Sequence, residues 1–586
     1  MSLYEPSVRS STWSLISRRV SQRFTTLEGW REIGLGVFTM GHNIRMFSIR
    51  HQFDPESFRK EEFTFTTPRD APPVPSIASI EKYQDSAGGT IGKAPYHVFT
   101  YGEKWPLVLI VGAAAIFPGL TATIYLPALD RIARDFNVSL ETINLTVTSF
   151  LLVQGIAPLF WGPLSDTLGR RSVLVYSFLI YVASSLTLSF SPNLPVLFVF
   201  RSLQGVAIAS TISVGCAVIQ DISPPPERDH YYSFYWGAKS SSLVLAPIIG
   251  GLFSNFLSFR SIFVFLFGMS VAVFIFILLF LPETLRSVAG NGTLPLAGMD
   301  RPLIWRLKVF GKPAHEKEEL LPGVRPKLAL RKFVEPFRPL KEKDIIVSLV
   351  FSGVIFAIWM VVTVSTVGLF KETFGLNEAF LGLVFLPNAL GTIVGSTVIG
   401  NILAQDFQTA CSAYKAAHSL PPSAVVSRHP LPADFPLEHT RLVRLPGLTV
   451  IFVIALSFYG FTLYYPSLYS LGGWIVLPLL LQFLISVMAH AICGIHQTLI
   501  LDLWPTDSSA AGALSNLSRC VLAGVGVAVV QKMLDWIEVA PTFLALAMAV
   551  MVLVPLPVVQ WYWGGDWRRA RDARASADAV EQLEKV

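Results

Sequence analysis

From Trp105 onward the chain alternates long apolar runs with short polar breaks. An apolar run of roughly 20 residues has one stable destination, a helix that satisfies its own backbone inside a bilayer. Such runs fall at 105–129, 142–164, 172–190, 194–220, 234–257 and 261–281, and, after a hydrophilic stretch at 282–344, at 345–369, 379–402, 447–467, 473–500, 509–534 and 541–563. Six spans, a long loop and six more predict an all-α membrane protein of two six-helix bundles, with both termini on one side because the number of crossings is even. Composition agrees: 52% of the 586 residues are hydrophobic and 15% charged, far more apolar than a soluble chain of this length.

Lys and Arg set the orientation. The 282–344 stretch is dense in them, from Arg286 to Lys343, and the C-terminal tail holds Arg568, Arg569, Arg571 and Arg574, whereas the opposite loops carry few, such as Arg131, Arg134, Arg260 and Lys371. Both termini and the loop are therefore expected in the cytosol. The net charge of +6 reflects this orientation and not nucleic-acid binding. The expected organisation is a mostly disordered cytosolic tail at 1–100, a bundle at 101–281, a basic cytosolic loop at 282–344, a second bundle at 345–565 and a short tail at 566–586. The start of the tail, with Arg9, Arg18, Arg19 and Arg23, also looks superficially like a mitochondrial presequence, which Glu5 and Glu28 oppose. A short surface helix fits around 30–47. Asn137-Val-Ser139 is a glycosylation sequon in a short loop close to the membrane. Cys216, Cys411, Cys493 and Cys520 are scattered without ligand spacing, so neither a disulfide nor a metal is expected, and no cofactor either.

The apolar run ending near 164 breaks off into Gly162, Asp166, Gly169, Arg170 and Arg171. An acid at a helix end is costly in lipid unless it meets a cation or another helix's N-terminus, and Gly162 leaves room for such a neighbour. Gly169 permits a sharp turn, and the arginine pair holds that turn on the cytoplasmic side. These residues match the G-x-L-x-D-x-x-G-R-[KR] signature between the second and third helices of major facilitator superfamily transporters, which the chain resembles. The resemblance implies that Arg170 pairs with Asp221, and Asp166 is expected against the start of the eleventh span near 507–510, where free amide groups favour an anion.

Arg201, Gln204 and Gly205 in the fourth span look like the superfamily's R-x-x-Q-G motif. An arginine within a span costs from a few to more than ten kcal/mol unless it faces a watery cavity with a partner. It could also snorkel outward, since Asn193 is only two turns away. In the fifth span Ala246, Pro247, Gly250 and Gly251 resemble the antiporter motif, with Ser233, Ser242 and Ala246 at three of its glycine positions. All three replacements are small, so close packing survives. Residues 123–129, 144–149, 281–286, 290–292, 502–505 and 515–520 are together similar to the fungal twelve-spanner drug:proton antiporters, particularly the quinidine-resistance and polyamine-export group. Ser515 stands where that group tends to have asparagine, and 256–262 lacks its usual Gly-Trp-Arg.

Few ionisable groups lie within the spans. His490 and His496 in the tenth, Asp502 at its end, Lys239 in the fifth and Arg519 in the eleventh are the candidates beside Asp221 for the proton carrier. Arg201, which never titrates, is expected to couple protons to transport through a neighbour, His490, His496 and Asp502 being the first candidates. The resemblance implies a substrate cavity lined by Gln154, Gln204, Lys239, Trp359, Asn388, Phe483 and Gln497, its aromatics suited to cations. No phosphate-cradling loop, activated nucleophile or metal cluster points to an enzyme. The expected function is export of small amphipathic or cationic compounds, drugs or polyamines, in exchange for protons. The expected form is a monomer in the plasma membrane or, second, the vacuolar one. Proton-coupled nutrient uptake and a non-transporting receptor or scaffold are the alternatives.

Overall fold

The computed structural model describes residues 97–294, 296, 298–306, 329, 331–421, 431–465, 473–504 and 508–584. The segment expected as a surface helix, around 30–47, lies outside them, as does much of the 282–344 loop. The chain divides into Tyr96–Cys411 with Val425–Val586, which holds the bundles, and Met1–Pro95 with Ser412–Ala424. Of the latter, 412–421 are described and continue the end of the helix Leu386–Ala417.

Among the described residues every regular element is a helix. Ten are long and apolar enough to cross a membrane, or eleven if the pair Leu140–Ile156 and Pro158–Leu168, bent by 40°, counts as one span. Pro158 explains the bend, because it opens the second helix of the pair without an N–H to donate. Helix occupies all twelve positions expected, but the fifth, Pro225–Phe256, is not among those ten or eleven. Glu227, Arg228 and Lys239 dilute its hydropathy among tyrosines and serines. By apolarity, ten or eleven of the twelve expected spans qualify among the described residues.

Helix starts follow local chemistry. Thr100 and Glu103 form a capping box before Tyr101–Thr123, and the side chains of Asn193 and Asn377 cap Leu194–Ile222 and Glu378–Val384. In lipid, helices gain little from burying apolar surface against each other, so they associate through close packing of small residues. A Cβ on Gly155 would lie 2.6 Å from the Cβ of Cys520, and one on Gly251 2.5 Å from the carbonyl oxygen of Glu378. Those two contacts join the halves: Leu140–Ile156 packs on Ser508–Ile537, and Pro225–Phe256 on Glu378–Val384. The core of the first half holds Phe117, Phe178, Tyr181, Tyr231 and Tyr235, with Thr121 and Tyr181 hydrogen-bonded at 2.6 Å.

Candidate gates and central cations

At the end of the bundle that carries the basic connections, Gly169 has φ +104°, a conformation L side chains rarely adopt. A Cβ there would also run into the carboxylate of Glu283. That carboxylate accepts from the backbone N–H of Arg170 at 2.8 Å and of Arg171 at 3.2 Å, so it caps the N-terminus of Arg170–Ser189. The N–H groups of Thr284 and Leu285 donate to it as well. Burial nonetheless pushes the Glu283 carboxyl up, against the pull of these amides. Gly169→Ala is expected to cost about 1–3 kcal/mol from the backbone alone, read as a lower thermal midpoint of the protein in detergent.

Arg170 donates to Asp221 at 3.1 Å, to Asp166 at 2.5 Å and to the Ser165 hydroxyl at 2.7 Å. Arg171 is 3% exposed and spends its guanidinium on the last carbonyls of Phe259–Phe280, on Ile277 at 2.5 Å, Leu278 at 2.8 Å and the carbonyl of Leu281. It therefore ends the sixth span, a role that its sequence position beside Arg170 does not reveal. Gly162 departs from expectation, since nothing lies within 4 Å of where its Cβ would be. It lines a cavity with Asp166, Lys332, Glu335, Ala510 and Ala513. Asp166 thus shares a cavity with the start of the eleventh-span helix while its ion pair is with Arg170; residues 505–507 lie outside the described ones.

The second half repeats this arrangement through pairings the sequence did not reveal. Arg441 pairs with Asp502 at 2.7 Å, both side chains 2% exposed, and donates to the Leu403 carbonyl at 2.9 Å. Arg568 pairs with the buried Glu438 at 3.0 Å, and Arg571 with the buried Asp344 at 2.7 Å. Asp502, expected near Arg201 as a proton carrier, is thus the second-half counterpart of Asp221: each is an acid at the end of one span, gripped by an arginine at the start of the preceding one.

At the far end, ion pairs cross between the halves. Arg134 reaches Glu378 at 2.8 Å and Asp130 at 3.0 Å, and Lys371 pairs with Asp130 and, at 3.7 Å, with Glu378. Beside them lies the antiporter-like stretch. The Pro247 carbonyl would be 2.6 Å from a Cβ on Gly382, Gly251 meets Glu378, and Gly250 sits against the backbone of Ile124 in its own half. Ala246 is buried. The fifth-span helix is thus pressed against the first span on one side and the other half on the next.

Between these ends lie the ionisable side chains expected within the spans. Arg201 is fully buried, so it does not snorkel. It donates to the Thr121 carbonyl and to Gln204 Oε1, each at 3.2 Å, and its guanidinium lies over Tyr125 at 4.3 Å and Phe150 at 4.7 Å. Its Nε and Nη2 have no hydrogen-bond partner. Gln204 is held in turn by Ser185 at 2.8 Å. The contacts of His490, His496 and Asp502 lie in the second half, so the structure does not bring them to Arg201. His490 stands edge-on to Trp359, ring centres 4.5 Å apart, and His496 packs on Phe351 with neither ring nitrogen hydrogen-bonded.

Trp359 and Asn388 do come together: Trp359 Nε1 donates to Asn388 Oδ1 at 2.7 Å, and Asn388 Nδ2 to Thr363 at 2.8 Å. The backbone of Phe483 packs on Gly391, and the Gln154 carbonyl accepts from Asn516 at 3.3 Å. Lys239, near the middle of its helix, lies over Trp236 at 4.6 Å and within electrostatic reach of Arg519 and of the thiols of Cys216 and Cys520. Arg519 donates to Gln497 Oε1 and, at 3.0 Å, to the Ser515 hydroxyl. Among the described residues neither cation has a carboxylate partner.

Two bundles, a basic turn after the second span and its repeat in the other half form one recognisable plan, and residues 111–528 match the sequence model of the Major Facilitator Superfamily. The chain belongs to that superfamily. Citrate exporter 1 of Aspergillus niger is 36% identical over 487 residues, 83% of this chain and 91% of that protein. The probable transporter AQR1 of Saccharomyces cerevisiae is 30% identical, covering 82% and 80%, and the MFS antiporter QDR2 of Candida albicans 27%, covering 81% and 91%. Among solved structures, a bacterial homolog of the human lysosomal transporter Spinster shares the fold, with TM-score 0.51 at 12% identity over 81% of this chain and 99% of that one. The chain is accordingly a multi-pass membrane transporter of small molecules, of the group that holds fungal multidrug and citrate exporters, and not an enzyme.

Proposed function

We propose that this chain exports small organic anions from the cytosol by alternating access, driven by the proton gradient. Twelve spans, with the linker and both termini cytosolic, and a monomer in the plasma membrane complete the reading. The observation that carries it is the pair Lys239 and Arg519, two cations within the bundle that no described carboxylate neutralises. A charge inside a membrane protein marks a pathway, and an unneutralised one favours a partner of opposite sign. The similarity to a citrate exporter supports the same sign of substrate. Cationic drugs and polyamines, the class the motifs favour, would be repelled by both side chains, although the Trp359 and Asn388 cluster offers them an aromatic wall.

The test is flux in liposomes reconstituted with the full chain. With the compartment facing the linker side loaded with labelled citrate and the opposite side made acidic, citrate is expected to leave, and dissipating the proton gradient to slow it. Movement of spermidine or a cationic dye with no movement of any carboxylate would overturn the anion reading. Net movement in the opposite direction would make the chain an uptake symporter.

A further inference from the structure

The segment leading into the seventh span is a short helix at Arg331–Val334 followed by a 3-10 helix at Glu335–Lys341, and the span itself opens at Lys343. A 3-10 helix has about three residues per turn, so side chains three apart lie above one another and the segment has three faces. Pro336 and Pro339 make the first, buried against the protein. Val334, Phe337 and Leu340 make the second, and although apolar they are 66%, 39% and 40% exposed. Glu335, Arg338 and Lys341 make the third.

The protein side of this segment lies across the seam between the halves. The ring of Phe333 meets that of Phe160 in the first half, centres 6.1 Å apart, while the 3-10 helix packs on Ser508–Ile537 of the second. Lys332, Glu335 and Pro336 form one wall of the cavity that also holds Gly162, Asp166 and Ala510. The charges are divided in the same way. Glu335 pairs with Arg331 at 3.3 Å, Glu342 with Arg574 at 3.1 Å and Asp344 with Arg571 at 2.7 Å, so each acid of 331–344 is spent on an arginine of the protein. Arg338, Lys341 and Lys343 are exposed and, among the described residues, pair with no carboxylate.

We propose that Arg331–Lys341 is a strap docked on the bilayer surface, with Val334, Phe337 and Leu340 in the interface and Arg338, Lys341 and Lys343 on the headgroups of anionic phospholipids. An apolar face beside a basic one is the pattern of a segment that lies in the membrane surface. Its depth is fixed, because a membrane span begins directly after it. The occupant is chosen by charge: the exposed side presents cations whose neighbouring acids are already paired, and an anionic surface attracts such juxtamembrane Lys and Arg. Resting on the proposed orientation, the leaflet is the cytosolic one. Lipid docking thereby bears on the cavity beside Asp166, which the other side of the strap lines.

The proposal is tested by hydrogen–deuterium exchange of the full chain in nanodiscs of phosphatidylcholine alone or in equimolar mixture with phosphatidylserine, measured at the backbone amides of 331–343. Exchange there is expected to be at least about fivefold slower with phosphatidylserine, the effect of roughly one Lys or Arg held at an anionic surface. Arg338→Gln combined with Lys341→Gln should remove the difference between the lipids. Val334→Ser, Phe337→Ser and Leu340→Ser together should give fast exchange in both, with the amides of the spans showing that each variant is folded. Equal exchange of the wild-type strap in the two lipids would overturn the proposal, and that comparison needs no variant. Protection that vanishes on deleting residues 1–95 would assign the exposed face to the chain's own N-terminal tail, and protection that requires two copies in one disc would assign it to a second copy; either result overturns the lipid contact. No substrate enters the measurement, so its failure is distinct from failure of the anion reading.

Discussion

Arg201→Ala is expected to abolish the proposed proton-driven export, lowering the flux by about a hundredfold or more, equivalent to ~2.7 kcal/mol in the limiting step. The guanidinium is completely enclosed, is held by the Thr121 carbonyl and Gln204, and keeps two nitrogens without partners. A side chain that served packing alone would leave neither nitrogen in that condition, because buried donors are ordinarily satisfied. The phenol of Tyr125, over whose ring it lies, ordinarily titrates near pH 10 and so carries no proton near neutral pH. Arg201 therefore acts as a fixed charge, and the proton moves on another group in the cycle or on the substrate. Arg201→Lys should keep part of the flux, since the charge stays although the fork is lost. Full pH-driven transport by the alanine variant, measured in the same liposomes, would reduce Arg201 to a packing residue.

Asp502→Asn is expected to destabilise the protein by about 3–5 kcal/mol, the usual consequence of removing one member of a buried ion pair. The side chains of Arg441 and Asp502 are each 2% exposed and 2.7 Å apart, so the change leaves a guanidinium in the interior beside the Leu403 carbonyl and the Phe407 ring. The readout is thermal unfolding in detergent alongside the amount of folded protein recovered. The double variant Arg441→Leu with Asp502→Leu should recover much of the loss, because no charge is then stranded. If Asp502 were instead the proton carrier, the asparagine variant would keep its thermal midpoint and lose the pH dependence of flux. That pattern would return Asp502 to the coupling role its sequence position suggested.

The elements legible in the sequence were those that a local physical demand creates. Apolar runs of bilayer length must be helical, which placed helix at every expected position, and the Pro158 bend and the polar face of Pro225–Phe256 are visible as soon as helix content and apolarity are judged separately. Asp166, Gly169, Arg170 and Arg171 stood out because charges and a glycine at the end of an apolar run are expensive there. Their division of labour did not: Arg171 caps the sixth span, Arg170 grips Asp221, and Glu283 fills the space Gly169 leaves.

The amino-acid sequence by itself therefore determined the class of protein, the order of its helices and which charged side chains lie within them, because the bilayer acts on each segment separately. Only the tertiary structure decided which of those charges meet. Arg441 finds Asp502 from 61 positions away and Arg134 finds Glu378 from 244, while among the described residues Lys239 and Arg519 find no carboxylate. Such pairings depend on the packing of helices whose order in space no local pattern encodes.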